Sequence, residues 1–421
     1  MRELMAGQLA RQRDTPAHAA GPWALAAFDP SAAIQPATVE PGRQRQARRY
    51  ARERQLLSLL NLAVLALPIA VLLFTPLGFR LRDALASLAV PEPVPSWQPL
   101  RIAAYFAVLF AAGFVLTLPI SYYAGFVLGH RYQLSTQTLG GWALDRVKML
   151  CLSLVFELAA VEFIYLLLAR FPDSWWLWAG LAALVFTALL ANLAPVLIFP
   201  LFAKLTPLPE GDVRRRALAL AGRARTPVRG IYAMDASKRT TAANAMVMGL
   251  GNTRRIVVTD TLLAHFTPEE IEVVVAHELG HQVHGDMLKL IVVETATTLG
   301  GLFVVNLVLH AVVAAVPGYH GLADVATMPL IAAALGVFAL VVLPITNGFS
   351  RLVEHQADVY ALETTRNAPA FIGAMTRLAD RNLAELEPAR IVEVLLYNHP
   401  SLGRRLAYAR RFLAEQDAGA A

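Results

Sequence analysis

The sequence predicts a mainly α-helical, polytopic membrane protein of about six spans that carries a small α/β part between the fourth and fifth. Three observations lead there. Of 421 residues, 56% are hydrophobic and only 16% charged, with a mean hydropathy of +0.50, a balance that soluble chains rarely reach. Six apolar runs match or approach the ~20 helical residues that cross a bilayer core. Between them, over 206–287, hydropathy falls and short β-branched runs alternate with helical patterns.

In chain order, residues 1–42 are rich in Ala, Pro and Gly without apolar periodicity and read as a loosely ordered arm. A basic, helix-compatible run follows at 43–54, suited to anionic lipid headgroups. The spans are expected near 56–75, 102–129, 147–169, 175–199, 288–316 and 326–347. Pro68, Pro119 and Pro195 fall inside them and should kink rather than end the helices. In the soluble stretch, 213–223 reads as a basic helix, and 231–234, 244–249 and 255–259 read as strands. Thr267-Pro268-Glu269-Glu270 has Thr at the N-cap, Pro at the first helical position and Glu three after the Thr, the signature of a helix start. Past the sixth span a helix continues over 350–362, and an amphipathic region runs to about Phe412. The resulting organisation is a flexible, basic arm at 1–54, spans one to four at 55–205, an α/β part at 206–287, spans five and six at 288–349, and a helical part at 350–421.

The formal charge of +6 comes mostly from arginine. Arginine and lysine concentrate before the first span, in the loop with Arg131, Arg146 and Lys148, and over 200–287. The basicity therefore reads as membrane topology rather than as a nucleic-acid footprint, and it puts both termini and the α/β part on the cytoplasmic side. The single cysteine, Cys151, excludes an intrachain disulfide and a thiolate metal cluster.

The helix after Thr267 carries His277-Glu278-Leu279-Gly280-His281. Histidines four apart lie one turn above each other, so both imidazoles can reach one zinc ion while Glu278 meets the water that the metal activates. That is the working end of a zinc peptidase, although five-residue patterns also arise by chance. The residues around the histidines (Val275, Ala276, Leu279, Gly280, Gln282, Val283) are uncharged, so none competes for the metal. A catalytic zinc needs a third protein donor. The stretch 350–358 offers Glu354 and Asp358 one helical turn apart, one to bind zinc and the other to orient a ligand histidine, with His355 as a further donor. An ordinary surface helix with an Arg351–Glu354 pair fits the same spacing, which does not choose between them.

HELGH followed by SRxxExxAD at the end of a later span resembles the integral-membrane zinc metalloproteases that include the type 1 CAAX prenyl protease and the HtpX-like proteases. The run from His130 to Thr138 with Trp142, Asp145 and Lys148, then Pro200-Leu201-Phe202, the run from Met234 to Arg239, Asn244-Ala245 and His399-Pro400 resemble the prenyl-protease branch. The resemblance covers roughly 45–412. It implies a zincin-like metallopeptidase domain with one Zn2+ on His277, His281 and Glu354, Glu278 as general base, and Asp358 behind the ligands. Asn244 and Ala245 would hold the substrate backbone by strand addition. His399 and Arg405 match a pair thought to contact substrate or the developing oxyanion. The chain departs from the prenyl-protease pattern in having six spans rather than seven, in Ala242-Ala243 before Asn244, and in Met246. Gly285-Asp286-Met287 is closer to the HtpX branch.

The resemblance implies an endopeptidase for membrane-associated or CAAX-type prenylated substrates, with quality-control cleavage of damaged membrane proteins as the alternative. A non-catalytic scaffold or transporter is the third reading, against which the complete set of His277, Glu278, His281, Glu354 and Asp358 argues. Heavy use of Ala and Arg points to the inner membrane of a GC-rich bacterium; in a eukaryote the endoplasmic reticulum would be expected.

Overall fold

The structure is a computed structural model and describes residues 40–88, 97–249 and 251–420. The loose arm expected over 1–42 thus lies outside the described residues as far as position 39. From there the chain differs from the expected division at 54/55. The basic run is already helical and passes without a break into the first span as α1 (Pro41–Phe74). Arg, Gln and Ala are good helix formers, and nothing between Gly42 and Pro68 interrupts them.

Six helices among the described residues are long and apolar enough to cross a membrane: α1, α3 (Pro99–Arg131), α4 (Leu139–Arg170), α5 (Trp175–Leu201), α9 (Asp286–Ala315) and α10, which lies within Val325–Thr365. They turn Leu59, Val155, Val341 and Ile345 outward, each more than 60% exposed, as lipid-facing residues are. Pro68, Pro119 and Pro195 lie inside their spans without ending them. Shortly after Pro119, α3 passes through a π turn at Tyr123–Val127, and Pro195 sits inside another at Ala194–Ile198. A short helix that the apolar pattern does not predict, α2 (Leu77–Ala84), buries Arg82 against Asp324 at 2.7 Å.

The soluble part is a four-stranded sheet in the order β1-β2-β4-β3. Strands β2 (Ile231–Met234), β3 (Ala245–Met248) and β4 (Arg255–Thr259) stand where the sequence predicts strands; β1 (Leu205–Pro207) is an addition. Only β2 and β4 run parallel, and β3 is an antiparallel edge. Around the sheet lie α6 (Asp212–Arg223), α7 (Asp260–His265), α8 (Pro268–Val283) and α11 (Ala368–Arg381). Ile231, Ile256 and Val258 of the sheet share one buried core with Val275 and Leu279 of α8 and Phe371 and Met375 of α11. Thr267 and Glu270 form a reciprocal capping box at the start of α8, which fixes where that helix begins and hence which face it buries.

The sixth span does not end at the bilayer. Helix α10 (Met328–Thr365) runs on for several turns beyond 347, across the division expected at 349/350, and delivers 350–358 to the flank of α8. Two further helices, α12 (Arg390–Leu396) and α13 (Leu402–Ala420), follow α11.

Candidate metal centre

Gly280 explains how α8 and α10 come so close. A Cβ added there would lie 3.2 Å from Ala357 Cα and 3.3 Å from Tyr360 Cβ, tighter than ordinary carbon contact. Only a residue without a side chain lets the α10 backbone approach at this level, and Ala357 sits between Glu354 and Asp358. The close approach therefore carries both carboxylates to the histidines.

One donor atom from each of His277, His281 and Glu354 lies within 4.8 Å of the others. His277 Nε2 is 3.3 Å from Glu354 Oε2, and His281 Nε2 is 3.6 Å from Glu354 Oε1. The two rings stand nearly perpendicular, 4.9 Å apart. Each ring is turned by a carboxylate on its other nitrogen: His277 Nδ1 lies 2.9 Å from Asp358 Oδ1, and His281 Nδ1 donates to Asp286 Oδ2 at 3.0 Å. With both Nδ1 atoms engaged, both Nε2 atoms face Glu354.

These residues fit a metal. Glu354 Oε2 is buried and makes no hydrogen bond among the described residues, although His277 Nε2 stands nearby. A buried carboxylate oxygen without a partner is costly, and a cation between it and the two imidazoles would satisfy it. Two imidazoles and one carboxylate, each imidazole backed by a further carboxylate, form a donor set suited to a zinc that keeps an open position. Burial works against a charged His277, but the carboxylates of Asp358 and Glu354 outweigh it and raise its pKa to about 9. Glu278, half-buried between the two ligands, has its carboxyl pushed up by burial.

The two residues expected at the oxyanion separate. His399 is at the site: its Nε2 is 3.1 Å from Glu354 Oε1, its Nδ1 pairs with Asn398 Oδ1 at 2.8 Å, and half of its side chain is exposed. Arg405 instead lies buried behind Asp358, donating from Nε at 2.8 Å and from Nη2 at 2.5 Å. This two-pronged grip engages Nε and Nη2, and Nη2 also lies 3.4 Å from His277 Nδ1, so Arg405 holds the carboxylate that turns His277 while lying beside the ligand itself. Burial opposes its charge, and Asp358 more than compensates. His355, the other donor considered on α10, packs its ring against Tyr408, 4.8 Å away, and is not in the cluster.

Three contributors escape sequence reading. Asp286 follows the left-handed Gly285, so no helical spacing links it to His281; an acid at the first position of a new helix just after HExxH is the one signal present. Arg351 does not pair with Glu354. It donates to the carbonyls of Glu393, Val394 and Tyr397 and so caps the end of α12 just before His399. Buried Glu393 accepts from the Ser401 amide at 3.0 Å on the far side of that turn.

Asn244 stands at the start of β3. Its amide donates to Thr259 Oγ1, its carbonyl accepts from the Thr259 amide, and its side-chain oxygen accepts from the Ala245 amide.

Comparison with known proteins agrees with this architecture. A family model described as peptidase family M48 matches residues 207–412, and one described as the CAAX prenyl protease N-terminal region with five membrane helices matches 30–204; the described part of that stretch holds four spans. The chain is 31% identical to YhfN, a Bacillus subtilis protein described as an uncharacterized metalloprotease, over 80% of this chain and 81% of that one. It is 30% identical to a probable CAAX prenyl protease 1 of Schizosaccharomyces pombe, over 69% of this chain and 62% of the relative. The crystal structure of Saccharomyces mikatae Ste24p superposes with a TM-score of 0.72 at 22% identity, covering 88% of this chain and 89% of that one, and shares its fold.

Proposed function

The chain belongs to peptidase family M48 as a membrane metalloprotease of the CAAX prenyl protease kind, and from that premise we propose that it is a zinc endopeptidase. Its substrates on this reading are membrane-associated or CAAX-type prenylated peptides. The observation that carries the proposal is the convergence of His277, His281 and Glu354 around the orphaned Glu354 oxygen, with Glu278 between the histidines.

Zinc held by His277, His281 and Glu354 would supply a Lewis acid that acidifies water and polarises the scissile carbonyl. Glu278 takes a proton from the attacking water as the new C–O bond forms, then delivers it to the departing amine as the C–N bond breaks. Burial that raises its pKa makes its carboxylate the stronger base for the first step. His399, half-exposed with its Nε2 3.1 Å from Glu354 Oε1, would turn that nitrogen from the carboxylate to the oxygen that gains charge. Asp358 and Asp286 hold the two imidazoles, and Arg405 holds Asp358. The β3 edge presents the peptide through main-chain hydrogen bonds from Ala245 onward, with the Asn244 side chain holding the Ala245 amide, a mode that tolerates varied sequences.

The arginine distribution supports a cytoplasmic catalytic face, and the composition supports a bacterial inner membrane. On this reading the catalytic unit combines 206–287 with 350–421. Edge-strand recognition, being sequence-tolerant, also favours a second reading, the cleavage of unprenylated, damaged membrane proteins. The test is purified protein in lipid nanodiscs, assayed for bound zinc and for cleavage of a farnesylated CAAX peptide beside an unprenylated membrane protein. About one zinc per chain and selective cleavage of the first substrate support the proposal; cleavage of the second alone transfers it to quality control. Absence of zinc, or full activity in Glu278→Gln, ends the mechanism.

A further inference from the structure

The β3 edge does not offer all its outward groups. Thr259 donates its amide to the Asn244 carbonyl, so Asn244 faces β4; by antiparallel alternation Met246 and Met248 also face β4, while Ala245 and Val247 face away. Ile256, opposite Val247, donates instead to Gly230 on the β2 side, which agrees with this parity. Three groups near the start of the edge are already engaged. Ala245 N–H is taken by the side chain of Asn244, and both backbone groups of Ala243 by one side chain, Asn382: Ala243 N–H donates to Asn382 Oδ1 at 2.9 Å, and Asn382 Nδ2 donates to Ala243 C=O at 3.1 Å. Asn382 fills the place that a neighbouring strand would take at Ala243.

We propose that Asn382 is a positioning residue that stops an added peptide strand and so sets its register on β3. The inference rests on β3 as the peptide-presenting edge. Pairing is then limited to Ala245 C=O and the groups from Val247 onward, and slippage past Ala243 is blocked. Because side chains alternate with a period of two, the slip that blockage prevents is one of two residues, which would present a different bond for cleavage.

The residue is itself held by the start of α1. Asn382 closes α11, and Leu383 after it adopts the left-handed conformation, φ 47°, where glycine is usual. That conformation is strained for a residue with a Cβ. Leu383 is buried in a cluster with Ala47 of α1 and Leu134. Helix α1 also grips the backbone on both sides of it: Arg43 donates to the Asp380 carbonyl, Gln44 donates to the Ala384 carbonyl, and Gln44 accepts from the Leu386 amide. The basic extension of the first span thereby braces the turn that carries the stop.

The test uses the full chain in nanodiscs. Products from a quenched farnesylated CAAX peptide are mapped by mass spectrometry, alongside hydrogen exchange over 240–249. Wild type should give one cut, with the Ala243 amide exchanging far more slowly than that of Val247. Asn382→Ala should raise KM more than it lowers kcat and add a second product displaced by two residues. Gln44→Ala, which leaves Asn382 in place, should give the same second product in smaller amount. A single unchanged product in both variants overturns the proposal, as does fast exchange at Ala243 in wild type. If wild type leaves the peptide intact, the substrate reading fails, and the exchange result still decides whether the edge is closed at Ala243. If Asn382→Ala does not fold, Gln44→Ala and wild-type exchange decide.

Discussion

Replacing Gly280 by alanine tests how the third ligand reaches the histidines. The new methyl would stand 3.2 Å from the Cα of Ala357 and 3.2 Å from Tyr360 Cδ1. Carbon atoms prefer about 3.5–4.0 Å, so the helices must part by several tenths of an ångström. Tyr360 can swing, but Ala357 Cα is backbone and moves only if that turn of α10 moves with it. Its neighbours in the turn are Glu354 and Asp358, the expected ligand and the carboxylate that orients His277. Metal-site distances tolerate only about ±0.2 Å. Zinc affinity should fall about 10–100-fold, as when ligand support is lost, and stability by about 1–3 kcal/mol, as for overpacked cores. Affinity is read by chelator competition and stability by thermal unfolding in nanodiscs. Gly222→Ala on α6, where an added Cβ meets nothing within 4 Å, controls for the generic effect and should be neutral or slightly stabilising. Wild-type zinc affinity in Gly280→Ala would refute the argument that close helix approach sets the ligand cluster.

Glu278→Gln should keep zinc at wild-type stoichiometry and lose cleavage by at least ~100-fold, the usual scale for a general base, as read by metal analysis beside a peptide assay. Asp286→Ala frees His281 Nδ1 and should weaken zinc about 10–100-fold without abolishing folding, measured by the same chelator competition. Arg351→Ala uncovers three carbonyls at the end of α12 and should lower kcat by disordering His399 while zinc stays bound; equal losses of zinc and activity would assign Arg351 to the metal instead. Asp380 has a carboxyl that burial raises above its ordinary 3.8, and one of its oxygens is buried without a hydrogen bond. A raised folded pKa favours folding while the group is protonated, and that contribution is lost as pH rises through the folded value. Asp380→Asn should therefore melt higher than wild type at pH 7, with the gap closing as pH falls toward 3.8.

What could be read in the sequence is what depends on short-range chemistry. The start of α8 follows from Thr267, Pro268 and Glu270, since a capping box is a local contact. The spans follow from apolar length, and β2, β3 and β4 from β-branched runs ending in turn residues. Strand β1 was out of reach, being three residues long with Pro207 in it; only pairing with β2 makes it a strand. The meeting of Glu354 with the histidines was a matter of resemblance, because no local signal spans the distance between α8 and α10. Spacing alone left His355 and a surface Arg351–Glu354 pair as equals. The geometry separates them by where each side chain ends: His355 on Tyr408, Arg351 on carbonyls of α12.

The residues that support the cluster from behind share one property, in that each holds another residue of the site. Arg405 reaches Asp358, and Asp358 reaches His277; Asp286 reaches His281; Arg351 and Glu393 shape the turn that carries His399. Such contacts join residues far apart in the chain or across a left-handed turn, where neither a 3.6-residue nor a two-residue period applies. They are also why the cluster holds its geometry. Both histidines are backed by buried acids, and the acid behind His277 is clamped by a buried arginine, so Asp358 stays in place and turning the imidazole would forfeit its hydrogen bond to a charged group, a loss of about 1.5–3 kcal/mol. A stiff cluster of this kind suits the proposed attack of water on the face of a carbonyl, because a displacement of about 1 Å at the reacting atoms can cost a hundredfold in rate.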